Sequence, residues 1–245
     1  MTIKLEICIP AYDELDNLKY LIPRITAELS NISNLKSKIK IFVRSDEEDV
    51  ICKEIEKMSA TVIKRSPENN FGSAISSAIR HIDTSSDFII FMDADGSHQP
   101  SNISALLSSA LDTGSDVVVA SRYVAGGKTD NSVPLILMSR LLNFVFQFTM
   151  GIKCKDVSTN FKLYKAEILR GIALSSKNYD VVEELLLKAK INSGGDFKIT
   201  EIPDHFQQRK FGKSKRKLSI FILSYIVTIL RLRMVSFREN SRNRG

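Results

Sequence analysis

Short runs of consecutive apolar residues alternate, over the first 120 positions, with stretches whose apolar residues recur every three or four positions. Leu5–Ile9, Ile39–Val43, Thr61–Ile63, Phe88–Met92 and Val117–Ala120 read as strands. Between them, Leu15–Leu29 carries Leu18, Leu21, Ile22, Ile25 and Leu29 at helical spacing, a second helix runs to about Met58, and Phe71–Ile82 carries Ala74, Ile75, Ala78, Ile79 and Ile82. A fourth helix is predicted around Ile103–Leu111. Strands apolar on both faces need helices on both faces, which predicts a parallel, doubly wound α/β sheet. After Ser121 the alternation loosens. Residues 126–132 read as a flexible loop, long enough for a lid, and Leu135–Met150 as a strongly apolar helix. Phe161–Tyr164 reads as a strand, Val181–Ile191 as an amphipathic helix and Phe197–Ile202 as a late strand. There is no internal repeat.

Composition narrows this little: 245 residues, 43% hydrophobic and 26% charged, suit one sizeable globular domain with an appendage. Charge changes the picture more. The net +7 is concentrated from His205 onward, where eleven Lys or Arg face one acidic residue, Glu239, leaving 24 basic against 27 acidic residues in 1–204. Cys8, Cys52 and Cys154 form no metal or disulfide spacing and predict buried thiols in a reducing compartment. The amino-terminal stretch reads directly as a strand rather than a signal peptide, which predicts a cytoplasmic protein.

The candidate chemistry centres on Phe88–Pro100, a buried strand running into two carboxylates one residue apart, Asp93 and Asp95. In open α/β sheets ligands sit beyond the carboxyl ends of strands. Two carboxylates there suit one hard cation, Mg²⁺ or Mn²⁺, with a phosphorylated ligand, and Gly96 lets the backbone turn after them. A polar loop that merely caps the next helix is the plain alternative.

Leu218–Leu230 is apolar and uncharged but too short to span a bilayer. Basic residues flank it, Lys213–Lys217 on one side and Arg231, Arg233 and Arg238 on the other, so it reads as an interfacial helix at a membrane surface. A helix packed on the domain's own core, or at a homo-oligomer interface, is the other reading. Without a stacking platform the basic tail does not point to nucleic acid.

Six segments taken together resemble the family 2 glycosyltransferases, more narrowly the dolichol- and polyprenyl-phosphate mannose synthases and related glucosyltransferases. They are IPAYDELDN (9–17), NFGSA (70–74), MDADGSHQP (92–100), SRYVAGG (121–127), DVSTNFKLY (156–164) and RKFGKSK (209–215). The resemblance implies a GT-A, Rossmann-like fold with a mostly parallel central sheet, a catalytic domain over 1–215 and a basic apolar tail over 216–245. It implies an inverting transfer of a hexose from a nucleotide sugar, GDP-mannose or UDP-glucose, to a polyprenyl phosphate at the cytoplasmic face of a membrane.

By the same resemblance Pro10, Tyr12, Glu14, Asp46, Asn70, Gly72, Asp93 and Ala94 are expected at the nucleotide sugar, with Asp93 and Asp95 on the metal. Asp95, Arg122 and Arg209 are expected to carry the chemistry. Ser139, Arg140, Lys213 and Lys215 are expected at the acceptor phosphate. A lipid phosphate is already anionic, so no general base is needed; Glu184 matches a recurrent family Glu, a surface pair with Glu183 on a helix is the other reading, and His98 reads as structural. Two departures stand out. Arg44-Ser45 replaces the family's Asp-Asp after the second strand, with Asp46 as a shifted substitute. Lys162 replaces an arginine, which loses a bidentate fork and points to an altered acceptor. Two other classes fit less of the sequence. A haloacid-dehalogenase-like phosphatase would open with the Asp-x-Asp motif rather than reach it after three βα units, and a degenerate, non-catalytic relative is motivated by Arg44-Ser45 alone.

Overall fold

In the computed structural model, residues 2–65, 69–211 and 228–234 are described. All the predicted strands form: β1 (Ile3–Pro10), β2 (Leu35–Arg44), β3 (Thr61–Arg65), β4 (Phe88–Phe91) and β5 (Val117–Ser121), with the later β7 (Lys162–Lys165) and β8 (Ile199–Pro203). They make one seven-stranded sheet in the order β3-β2-β1-β4-β7-β5-β8. The chain moves outward from β1 through β2 to β3, then returns to the other side of β1 with β4. The switch point therefore lies between the carboxyl ends of β1 and β4, where a ligand crevice is expected.

The sheet is parallel except for β7, which runs antiparallel to both β4 and β5. The mostly parallel sheet expected from the family resemblance is what forms; hydrophobic patterning carries no strand direction, so it could not single out β7 as the antiparallel member. The reason is local: residues 156–160 sit at the carboxyl end of β5, where Asp156 binds Arg122, and β7 must start from that edge and run back.

Strand residues divide between two cores by alternation. Cys8, Phe42, Ile89, Phe91 and Val119 face α3 (Phe71–Arg80), α6 (Val181–Ser193) and the end of α5 (Val133–Met150). Ile7, Ile9, Ile41, Ile90 and Val118 face α1 (Leu15–Ser30), α2 (Asp49–Glu56) and α4 (Asn102–Thr113). The three cysteines are free and buried, as their spacing predicts.

The 126–132 loop is tied rather than free. Its short strand β6 (Lys128–Thr129) pairs in parallel with β9 (His205–Phe206), and Asp130 accepts from His205 at 2.9 Å. Residues 228–234 are helical, with Ile229 and Leu232 buried in the α3/α6 core. Their polar side points inward: Thr228 Oγ1 donates to Asp180 at 2.6 Å, and Arg231 reaches Ser176 and Glu184. Over these residues the tail packs on the domain's own core. Most of the predicted interfacial helix, with Lys213 and Lys215, lies outside the described residues.

Candidate active site

The end of β1 delivers Pro10 to the sheet edge, and Ala11 N donates to Phe42 O at 3.0 Å, which holds the next turn against β2. Tyr12 projects half-exposed from that turn, and the Arg44 guanidinium lies 4.6 Å from its ring centroid. Arg44 in turn forks onto Asp46, with Nε to Oδ1 at 2.7 Å, and this bond keeps the Asp46 carboxyl below its usual range. Asp46 is thus brought to the edge of the first crevice wall by the arginine that departs from the family pattern. Ser45 bonds Asn69 instead of facing outward alone.

Arg65, which sequence reasoning passed over, is buried at the end of β3 and ties three segments together. Its guanidinium donates to Val43 O (3.1 Å), Ala11 O (3.3 Å) and Asn70 O. A lone basic residue at a strand end gives no sequence signal for this.

Asn70 caps α3 in a reciprocal box with Ser73. Gly72 has a reason of its own: a Cβ there would lie 1.9 Å from Ser176 O, and its amide donates to Lys177 O at 2.9 Å. The close approach is made by the chain itself. Gly72→Ala is therefore expected to cost about 1–3 kcal/mol or more by overpacking against backbone, read as a Tm fall of about 2–4 °C per kcal/mol.

From β4 the chain reaches Asp93, Ala94 and Asp95, and Gly96 turns it with φ +72. Asn160 donates to Asp93 Oδ1 at 3.0 Å, and Ser97 donates to Asp95 Oδ1 through both its amide (3.1 Å) and hydroxyl (2.6 Å). The two carboxylates keep 32% and 24% side-chain exposure, so an oxygen-only donor pair fixed on one side stays open on the other. That donor set fits a hard divalent cation. His98 is buried with Nε2 3.4 Å from Asp93 and Nδ1 3.5 Å from Asp204. Burial works against its proton, but the two carboxylates prevail and raise it to about 9. It is buried between Asp204 and Asp93, one member of the carboxylate pair.

Arg209 closes the crevice from above, with Nη2 3.0 Å from Glu14 Oε1 and 3.5 Å from Asp95 Oδ2. Its segment is fastened there: Lys210 N donates to Asp95 O, Gln207 N to Ser97 O, and Phe211 N to Asn17 Oδ1. Glu14 occupies the N-cap of α1 without capping it through its side chain, which bonds Arg209 and Asn17 instead.

On the far side of β4, Arg122 commits Nε (2.8 Å) and Nη2 (2.6 Å) to Asp156 and adds Ser158 Oγ at 3.0 Å. Burial would discharge both partners, but their pairing holds the guanidinium charged and the carboxyl below its usual range. Arg140, exposed on α5, lies 5.2 Å from the Tyr123 ring centroid, and Arg122 lies 4.9 Å from the same ring. Ser139 is half-buried beside it.

The structure thus brings Glu14, Asp93, Asp95 and Arg209 into one crevice, with Tyr12, Arg44 and Asp46 on one wall. Arg122 and Arg140 meet over Tyr123 on the opposite side. Glu183 and Glu184 are not a surface pair: both are 1% exposed. Glu184 is spent on the amides of Ser175 and Ser176 and on Lys188; burial pushes its carboxyl up, but these partners bring it down to about 2.

Residues 6–172 match the family model for glycosyl transferase family 2. The chain belongs to glycosyl transferase family 2. Among curated members, a polyprenol monophosphomannose synthase from Mycolicibacterium smegmatis is 37% identical over 131 residues, 52% of this chain and 48% of that protein. A dolichol-phosphate mannosyltransferase from Pyrococcus furiosus is 30% identical over 241 residues, 94% of this chain and 63% of that protein. The chain spans about half to two thirds of the length of these family members. Glucosyl-3-phosphoglycerate synthase from Mycobacterium tuberculosis, solved with Mn²⁺, UDP and phosphoglyceric acid, matches with a TM-score of 0.70 over 95% of this chain and 78% of that one. At 17% identity that likeness establishes the family's GT-A fold.

Proposed function

We propose that this chain transfers a hexose, mannose or glucose, from a nucleotide sugar to a polyprenyl phosphate at a membrane surface, with inversion at the sugar carbon. The observation that carries the reading is the open carboxylate pair Asp93/Asp95 at the β1/β4 switch point, faced by Arg209. Asp93 and Asp95 would hold Mg²⁺ or Mn²⁺, which offsets the charge that develops on a departing nucleoside diphosphate. Pro10, Tyr12, Glu14 and Asp46 would hold base and ribose on one wall, with Asn70 and Ala94 bordering the diphosphate; Gly72, expected at the nucleotide sugar, is taken up instead by the approach of Ser176. Arg209 would close over the diphosphate. Arg122, Ser139 and Arg140 would receive the acceptor phosphate on the other side. An acceptor that arrives as an anion needs positioning and electrostatics rather than a base, which agrees with Glu183 and Glu184 being buried.

A lipid acceptor rather than a soluble one is favoured by α5. Val133, Leu137, Leu141, Phe144 and Phe148 recur at one helical face and are 61–81% exposed. By length and composition α5 could cross a membrane, but Phe146 and Met150 are buried in the α3/α6 core, so we read it as lying along the surface with its apolar stripe in lipid. The sequence reading placed this role on the tail helix alone. Leu141→Glu with Phe148→Glu is expected to abolish flotation with anionic vesicles while leaving Tm within about 2 °C, since exposed substitutions cost little stability.

Acceptor class is tested by offering a short-chain prenyl phosphate and 3-phosphoglycerate together with labelled nucleotide sugar. Label in the organic phase supports the reading. Label confined to the aqueous phosphoester would replace the lipid acceptor with a soluble one.

A further inference from the structure

Lys162 stands where an altered acceptor contact was expected, and the structure puts it elsewhere. It is fully buried in β7, paired with Phe91 on one side and Val119 on the other. Its ammonium donates to Val157 O at 2.9 Å and to Thr159 O, and among the described residues it forms no ion pair with a carboxylate. Burial works against the charge on this amine, which the buried Glu183 and Asp156 carboxylates support only from beyond contact, and an apolar side chain would fill the space more cheaply. The return on that cost is the shape of one loop.

Residues 156–160 supply both sides of the crevice from a single turn. Asp156 and Ser158 fix Arg122, and Asn160 fixes Asp93. The residues between them, Val157 and Thr159, are those whose carbonyls the ammonium draws inward. Phe161, next in the chain, packs its ring 5.0 Å from His98, which borders Asp93 from the other side. We infer that Lys162 is the positioning residue of this site: without touching a ligand, it sets the distance and orientation between the Asp93 carboxylate and the Arg122 guanidinium. The inference rests on the transferase reading for the identity of the ligands on the two sides, but not for the loop geometry.

The test is Lys162→Met, which keeps the stem and removes the charge. Expected are a roughly 10–100-fold loss of kcat and about tenfold weaker calorimetric binding of Mn²⁺ with GDP or UDP, as for residues that orient a ligand from behind. The amides of Phe161 and Lys162, bonded to Thr159 Oγ1 and Asn160 O, are expected to exchange about tenfold faster. If that variant does not fold, Lys162→Gln keeps one donor without the charge and is read the same way. Wild-type kcat, nucleotide affinity and exchange in either folded variant would overturn the inference. So would failure of both to fold, which would make Lys162 a folding residue. Wild-type protein run alongside separates the two levels: if it neither binds nucleotide nor transfers sugar, the transferase reading fails, while the exchange comparison still judges the loop.

Discussion

Asp95→Asn is expected to lower kcat/KM by about 10³-fold, roughly 4 kcal/mol of transition-state stabilisation, with little change in Tm. The substitution keeps the size of the side chain and an oxygen able to accept from Ser97, so the turn at Gly96 has no reason to change. What disappears is a negative charge that faces the crevice and neutralises Arg209 from 3.5 Å. An amide neither holds a divalent cation comparably nor pairs with the guanidinium, so in the proposed reaction the departing diphosphate would lose support from two directions. Asp112→Asn, exposed on α4, is the control and should change neither quantity. Equal loss of Tm and activity in Asp95→Asn would assign this residue to the fold instead.

The largest stability effect is expected at Asp156. Its carboxylate is wholly buried and takes two side-chain bonds and the backbone amide of Arg122. Asp156→Asn leaves the guanidinium buried without its counter-charge, expected to cost about 3–5 kcal/mol, or roughly 6–20 °C in Tm. The pH dependence follows from direction. Arg122 holds the folded carboxyl below the value near 3.9 expected when unfolded, so its stabilisation is complete above about pH 4 and is lost as pH falls through the folded value. Thermal melts across pH should show wild type and Asp156→Asn well separated at pH 7 and converging below about pH 4. Separation that stays constant into acid would mean the pair carries no net stabilisation.

Much of the fold could be read in the sequence because covered parallel strands need unbroken apolar runs and their helices need periodic ones. The direction of β7 could not, because an apolar run such as Phe161–Tyr164 looks the same either way. The carboxylate pair was legible as chemistry at a strand end, and Arg209 only through the resemblance of its segment to the family. Arg65, Lys162 and Glu184 were not: each is a charged residue that sequence patterns assign to the surface, and each is buried against backbone atoms that only the folded chain brings near. The exposed stripe of α5 was hidden for the opposite reason. Its apolar residues spell a core helix, and only the packing shows which of them the core leaves outside.

The decisive measurement offers labelled GDP-mannose or UDP-glucose and polyprenyl phosphate to the wild-type protein, with Mn²⁺ or Mg²⁺ and then with chelator. Label is expected in the organic-extractable lipid from one of the donors, abolished by chelator and by Asp95→Asn. Transfer that persists undiminished in chelator, or no transfer from either donor by folded protein, would contradict it.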